Sequence, residues 1–311
     1  VIDSAFRDRA LKRTFIATLI SATTLASITG AWSAPQLKKI DTTAIALTTS
    51  PRAHAVNQER IAIVDRDIEI LDLSGSSLIT LPALASKQLF SDVKKFKTGF
   101  LIAGVVESST ASTLEIEPGT INPDSVDLKS ESGSSNGMTR LLLRQISSEG
   151  EIIRDLFFES DFPLLARSLT VLQDRAVIVG ERATLAGVEG FFAEFNLAED
   201  LPQEVPLVRF LSIGKVSTQI YAASSPRMLY GASREKIGTS QVQSLQDGVI
   251  IFLNNNLAVS KVVRSFQRKS ARLWSGVNGS NLAVGTLLEG SKSTVTITKF
   301  NKSGNPQWTV R

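Results

Sequence analysis

The 311-residue chain has no cysteine, one histidine, two tyrosines and two methionines. Without cysteine there is no disulfide framework, no thiolate metal site, no thiol nucleophile and no lipid attachment through an N-terminal thiol. A single histidine, His54, rules out multi-histidine metal sites and leaves one candidate for any histidine-dependent triad. A nucleophile elbow, a phosphate-cradling glycine loop, a calcium-loop carboxylate ladder and zinc spacing are all missing, so no cofactor and no metal is expected. Charge of one sign is also lacking. There are 34 basic and 30 acidic side chains. Residues 1–34 hold four of the first and two of the second, which leaves 30 against 28 for the rest. A body so close to neutral has no dense basic stripe for nucleic acid. The overall 42% hydrophobic and 21% charged content is that of a folded globular chain.

What is present begins with a three-part N-terminus. RDRALKR (7–13) is basic, TFIATLISATTLASITGA (14–31) is uncharged and apolar, and AWSAP (31–35) places small residues where a peptidase cleaves after Ser33. This is the pattern of a secretory signal peptide, and the many Ser and Thr make the apolar part a poor permanent span. Residues 1–34 are therefore read as a signal peptide or an N-terminal membrane anchor. Either way the body, 35–311, is expected to be exported, to the cell envelope or beyond. Contact with a membrane is expected only through an uncleaved N-terminus.

From residue 41 onward one hydrophobic period recurs. GFLIAGVVES (99–108), RAVIVGERA (175–183), RMLYGASRE (227–235) and NLAVGTLLEG (281–290) each run an apolar strand into a glycine, at Gly104, Gly180, Gly231 and Gly285. RIAIVDRD (60–67) fills the same slot without the glycine. Each of these five is followed by a strand, a polar turn and a strand, with turns SGS, SSEG, LAED, NNN and NKSGN. Such turns supply residues that tolerate positive φ. Each is preceded by a run of small and apolar residues: AIALTT (44–49), FSDVKKF (90–96), ARSLTVL (166–172), STQIYAA (217–223) and ARLWSGV (271–277). Four strands per unit, five units and about 49 residues per unit is the arithmetic of β-propeller blades.

At the level of architecture, residues 41–311 resemble secreted bacterial β-propeller repeat proteins, with KFNKSGNPQW (299–308) the closest stretch. The resemblance implies an all-β propeller of about five four-stranded antiparallel blades. Their greasy faces are buried against one another and only short outer edges are left. It implies no specific family: blade-closing Trp-Asp pairs and kelch glycine pairs are absent. Two passages stand out from the period. LPALASKQLFSDVKKF (81–96) spaces Leu81, Leu84, Ala85, Leu89, Val93 and Phe96 as a short helix would. Residues 108–137, rich in Ser, Thr and Gly and carrying Glu115, Glu117, Asp124, Asp127 and Glu131, form a low-complexity insertion between second and third strands. That composition favours a solvated acidic loop. Its position is on the axial face shared with the blade-to-blade links, and a lid anchored by Leu114, Ile116 and Ile121 is the alternative.

Two function classes follow. The first is a non-catalytic binding or scaffolding module that meets a protein or glycan on one axial face. RSFQRKSAR (264–272), with Arg264, Arg268, Lys269 and Arg272, is its basic candidate. The second is a carbohydrate-active hydrolase. Asp41, Asp92 and Asp161 each precede an innermost strand, and glycoside hydrolysis needs two carboxyls at a fixed separation. Carboxylates found as turn residues before strands are the ordinary alternative.

Overall fold

The computed structural model describes residues 51–108 and 138–311, apart from 109–137 between them and short stretches at 161, 185–186, 199–206, 211–217, 226, 238, 257, 267–268 and 279–280. The N-terminal segment, the run 44–49, the insertion beyond Ser108, Asp41, Asp161 and Arg268 lie outside the described residues. Residues 51–311 form one compact unit.

The described residues hold twenty strands and no helix. They fall into five antiparallel meanders in chain order. The first is β1 (Ala53–Val56), β2 (Arg60–Val64), β3 (Ile68–Asp72) and β4 (Ser77–Thr80). The second is β5 (Gln88–Phe96), β6 (Gly99–Val106), β7 (Arg140–Ile146) and β8 (Ile152–Glu159). The third is β9 (Leu164–Leu172), β10 (Arg175–Thr184), β11 (Gly187–Asn196) and β12 (Leu207–Phe210). The fourth is β13 (Thr218–Ser225), β14 (Met228–Ser233), β15 (Asp247–Leu253) and β16 (Val259–Ser265). The fifth is β17 (Ala271–Asn278), β18 (Leu282–Glu289), β19 (Lys292–Phe300) and β20 (Pro306–Val310). One parallel bridge, Glu189 to Thr218, fuses the third and fourth into a single eight-stranded sheet.

Alternation along each strand sends successive side chains to opposite faces, and each face packs on a different neighbour. Ala62, Val64, Ile68 and Ile70 of the first unit meet Phe100, Ile102 and Leu142 of the second. Leu101, Ala103 and Leu143, on the other face of the second, meet Ile178, Phe191 and Ala193 of the third. Val177, Val179 and Phe192 then meet Leu229, Val249 and Ile251. Tyr230 and Ile250 meet Trp274 and Phe300. These are four separate inter-sheet cores rather than one. The first strands stack in the same order, β1 on β5, β5 on β9, β9 on β13 and β13 on β17. Sheets stacked face to face with their first strands adjacent make a propeller-like all-β fold.

The recurring glycine has a steric reason. In units two to five the first strand carries a bulge that leaves one residue unpaired: Ser91, Arg167, Tyr221 and Ser275. Beside each bulge the second strand presents Gly104, Gly180, Gly231 or Gly285. A Cβ there would lie 2.7, 2.0, 1.9 or 2.2 Å from a first-strand carbonyl oxygen, which no side chain tolerates. The first unit lacks the glycine, and β1 pairs with β2 without any shift, Ala55 opposite Ala62.

Two expectations are corrected. The strand that pairs with β2 is Ala53–Val56, not 44–49. The helical spacing over 81–96 does not produce a helix: Gln88–Phe96 is strand β5. The bulge at Ser91 shifts the in–out parity of β5, so its buried residues are spaced like those of a helix turn.

Candidate functional site

The first strands all enter from the same end of the stack, the end that also carries the second-to-third-strand connections. Among the described candidates from the sequence, Arg264, Lys269 and Arg272 lie at this end.

Asp92 follows the β5 bulge and is buried. One carboxylate oxygen accepts the Val93 N–H and the Lys94 ammonium, both at 2.8 Å. The other accepts the Leu169 N–H at 2.8 Å and the Ser168 hydroxyl at 3.4 Å. The group thus ties the first strand of unit two to that of unit three. In the same way the Thr170 hydroxyl donates to the Ala223 carbonyl at 2.7 Å, tying unit three to unit four. Asp92 is a strand tether with its acceptor capacity filled. With Asp41 and Asp161 outside the described residues, the carboxyl constellation of the hydrolase reading is not assembled by them.

The other buried carboxylates are also engaged. Glu181 takes Arg167 at 3.1 Å, and that guanidinium lies 5.3 Å from the Tyr221 ring, joining two bulged positions of adjacent units. Glu189 pairs with Arg182. Glu194 pairs with Arg175 at 2.8 Å and Arg227 at 3.2 Å, and Glu235 accepts from the Thr218 hydroxyl. Among the described residues no cluster of acidic and histidine side chains has metal-site geometry. His54 is exposed on β1. A polar groove of about 260 Å³ lies among the turns near Asn57, Glu59, Lys95, Lys97 and Ser148, at the opposite end of the stack from the first-strand entries.

The basic run 264–272 separates into different environments. Arg264 is the penultimate residue of β16, and its side chain is buried. Its guanidinium donates to Ser240 Oγ at 2.8 Å, to Asp247 at 3.3 Å and to the Glu235 and Ser240 carbonyls at 2.6 and 3.0 Å. Asp247, fully buried, also accepts the N–H groups of Gln243 and Ser244. This network pins the β14–β15 connection, 234–246, against β16. The described donors of Arg264 are engaged within the fold. Lys269 is exposed in a turn at φ 60°. Arg268 is outside the described residues.

Arg272, second residue of β17, is different. Only 8% of its surface is exposed. Its backbone N–H donates to the Gln246 carbonyl, and its guanidinium lies 4.4 Å from the Trp274 ring centre. Its Nε has no hydrogen-bond partner, and it forms no ion pair with the described residues. Burial lowers its pKa, and the nearby Arg311 guanidinium lowers it further. The neighbouring Trp274 indole N–H is likewise without an acceptor. Trp274 is seated by Gly248, where a Cβ would lie 2.9 Å from the indole nitrogen, and meets Phe300 edge-on at 5.2 Å. The site is therefore a buried cation over a tryptophan ring, its Nε and the indole N–H both without an acceptor among the described residues. The sequence marked Arg272 through its charge run. It gave no sign that Trp274 and Gly248 form its seat.

No protein-family model and no curated protein matches the chain. Among solved structures it is similar to a protein of unknown function from Bacteroides caccae at 7% identity and TM-score 0.30, over 73% of this chain and 85% of that one. It is similar to a subtype N10 neuraminidase-like protein of A/little yellow-shouldered bat/Guatemala/060/2010 at 10% identity and TM-score 0.46, over 82% and 80%. A protein from Lactobacillus plantarum aligns at 8% identity and TM-score 0.45, over 88% and 74%.

Proposed function

We propose that the chain is an exported, non-catalytic binding module with five propeller blades, and that it takes an anionic group at the axial face where the first strands enter. The anion is a carboxylate or sulfate borne by a glycan or by a protein segment. Arg272 carries this reading. A guanidinium taken out of water without a carboxylate costs several kcal/mol, so an uncompensated one is retained where a ligand supplies the missing charge. A guanidinium held over Trp274 is the planar group suited to a two-oxygen acceptor. Export rests on the three-part pattern of residues 1–34. The rival hydrolase is disfavoured by the filled acceptor capacity of Asp92.

The test is calorimetric binding of the full chain to a panel of uronic-acid, sulfated and neutral oligosaccharides and an acidic peptide. Anionic members are expected to bind and neutral ones not, and Arg272→Gln is expected to weaken binding at least tenfold. Equal binding of neutral and anionic members, or an Arg272→Gln variant that binds as wild type, would refute the reading. Release of new reducing ends that stops in a folded Asp92→Asn variant would reinstate the hydrolase.

A further inference from the structure

The β14–β15 connection opens with Arg234, Glu235 and Lys236, and the two signs of charge separate there. Glu235 is buried, accepts from the Thr218 hydroxyl and supports the charge on Arg264. Asp247, at the start of β15, is fully buried and holds the Arg264 guanidinium itself. Arg234 and Lys236 are exposed, as is Lys269 in the turn before β17. The acids of this corner are engaged inside the fold, and the cations are left at its surface. On the adjoining strand Glu289 lies two residues beyond Leu287, the partner of Arg272 in the ladder; it is half-buried and already engaged.

Among these surface cations, Arg234 is the one tied to the Arg272 site. Gln246 is buried and joins the two. Its Oε1 accepts from Arg234 Nε at 3.1 Å, and its Nε2 donates to the Arg272 carbonyl at 3.3 Å. Its own carbonyl accepts the Arg272 N–H at 2.9 Å. One buried amide therefore stands between the Arg234 guanidinium and the backbone of Arg272. Neither guanidinium has an ion pair among the described residues. Like charges gathered at one corner repel each other, a cost that an anion between them removes.

Resting on the anion reading above, we infer that Arg234 is a second binding residue of the Arg272 site, and that the ligand is a saccharide carrying two anionic groups, one for each guanidinium. Each guanidinium matches one two-oxygen group, a carboxylate or a sulfate ester. A single sugar residue carries two such groups at fixed spacing on a rigid ring. Successive acids of an extended peptide point to opposite sides of the chain, so only one of a neighbouring pair meets the same corner.

The test is calorimetric titration of the full chain at about 50 mM salt with three probes. They are a disaccharide bearing one uronic-acid carboxylate, the same disaccharide with one added sulfate, and a short peptide with two adjacent aspartates. The added sulfate is expected to tighten binding about fivefold, and about 500 mM salt to erase most of that gain. In Arg234→Gln the two disaccharides are expected to bind alike, at the wild-type affinity of the unsulfated one, with the melting temperature unchanged because the side chain is already solvated. In Arg272→Gln both are expected to weaken at least tenfold. Equal wild-type affinities for the two disaccharides, or a sulfate gain that persists in Arg234→Gln, overturn the inference and leave the reading of Arg272 standing. So does a peptide that binds more tightly than the sulfated disaccharide. Disaccharides that bind but are untouched by Arg272→Gln, or a failure of all three probes to bind, bring down the anion reading and this inference with it.

Discussion

Arg264 and Arg272 come from the same basic run, eight residues apart, and both end up buried. They differ in what receives them. Arg264 meets Asp247, a hydroxyl and two carbonyls. Arg272 meets the face of an indole and, among the described residues, no acid. Burial lowers the pKa of both, but Asp247 works against the shift at Arg264, whereas Arg311 adds to it at Arg272. A cation whose donors are consumed inside the fold is an element of construction. One that meets no counter-ion among the described residues is the better candidate for a ligand. Charge density along the sequence does not separate the two; the partner does.

The comparison breaks first if Arg264 proves dispensable. Arg264→Met leaves a fully buried Asp247 facing only N–H donors, so the loss of stability is expected to be about 3–5 kcal/mol by urea unfolding. A loss below about 1 kcal/mol would mean that the network is no stronger than a surface pair. Next comes the seat of Arg272. In Gly248→Ala the new Cβ must push the Trp274 ring or the β15 backbone aside, at a cost of about 1–3 kcal/mol, with a red-shifted tryptophan emission marking the displaced ring. Emission and stability unchanged from wild type would show that the seat is loose.

A smaller, pH-dependent effect tests the same interface from the fourth unit. Tyr230 packs against Phe300 and has its pKa pushed up to about 12 by burial, against the weaker opposing effect of the Ser224 hydroxyl. Below pH 10 the phenol is neutral whether the chain is folded or not. Above pH 10 the unfolded chain ionises first, so this part of the stability is lost as pH rises from 10 toward 12. The loss is of the order of 2 kcal/mol, and Tyr230→Phe is expected to flatten it. An identical pH profile in the variant would place the alkaline transition elsewhere.

How much of this was legible in the sequence depends on range. The second and third strands were, because buried on both faces they read as unbroken apolar runs. The four glycines located the units. Their cause, a bulge on the facing strand, is a contact between strands and left no mark beyond the glycine itself. The first strand of unit one was placed in 44–49, since AIALTT and AHAV are both short, small and apolar, and only pairing with β2 selects the second. Asp92 reads in the sequence as an acid shortly before an innermost strand, whereas it lies within β5. Its role, reaching 77 residues ahead to the Leu169 N–H, is long-range by nature. The Arg264–Asp247 pair, 17 residues apart, is invisible for the same reason, and so is the seating of Trp274 by Gly248, whereas Arg272 and Trp274 themselves are two residues apart on one strand.

The smallest expected effect is the most telling. Removing a charge that no described residue compensates relieves its desolvation, so Arg272→Gln is expected to change stability by no more than about 0.5–1 kcal/mol, with either sign. That near-silence has to be matched by a functional loss. Wild-type protein is expected to gain melting temperature in the presence of a bound anionic oligosaccharide, by roughly the logarithm of its saturation, and the variant is expected to gain none. A variant destabilised as severely as Arg264→Met would place Arg272 in the same class as its neighbour and remove the physical distinction on which the binding face rests. A variant that is stable yet equally responsive to the anion would keep the distinction and move the ligand to another part of the molecule.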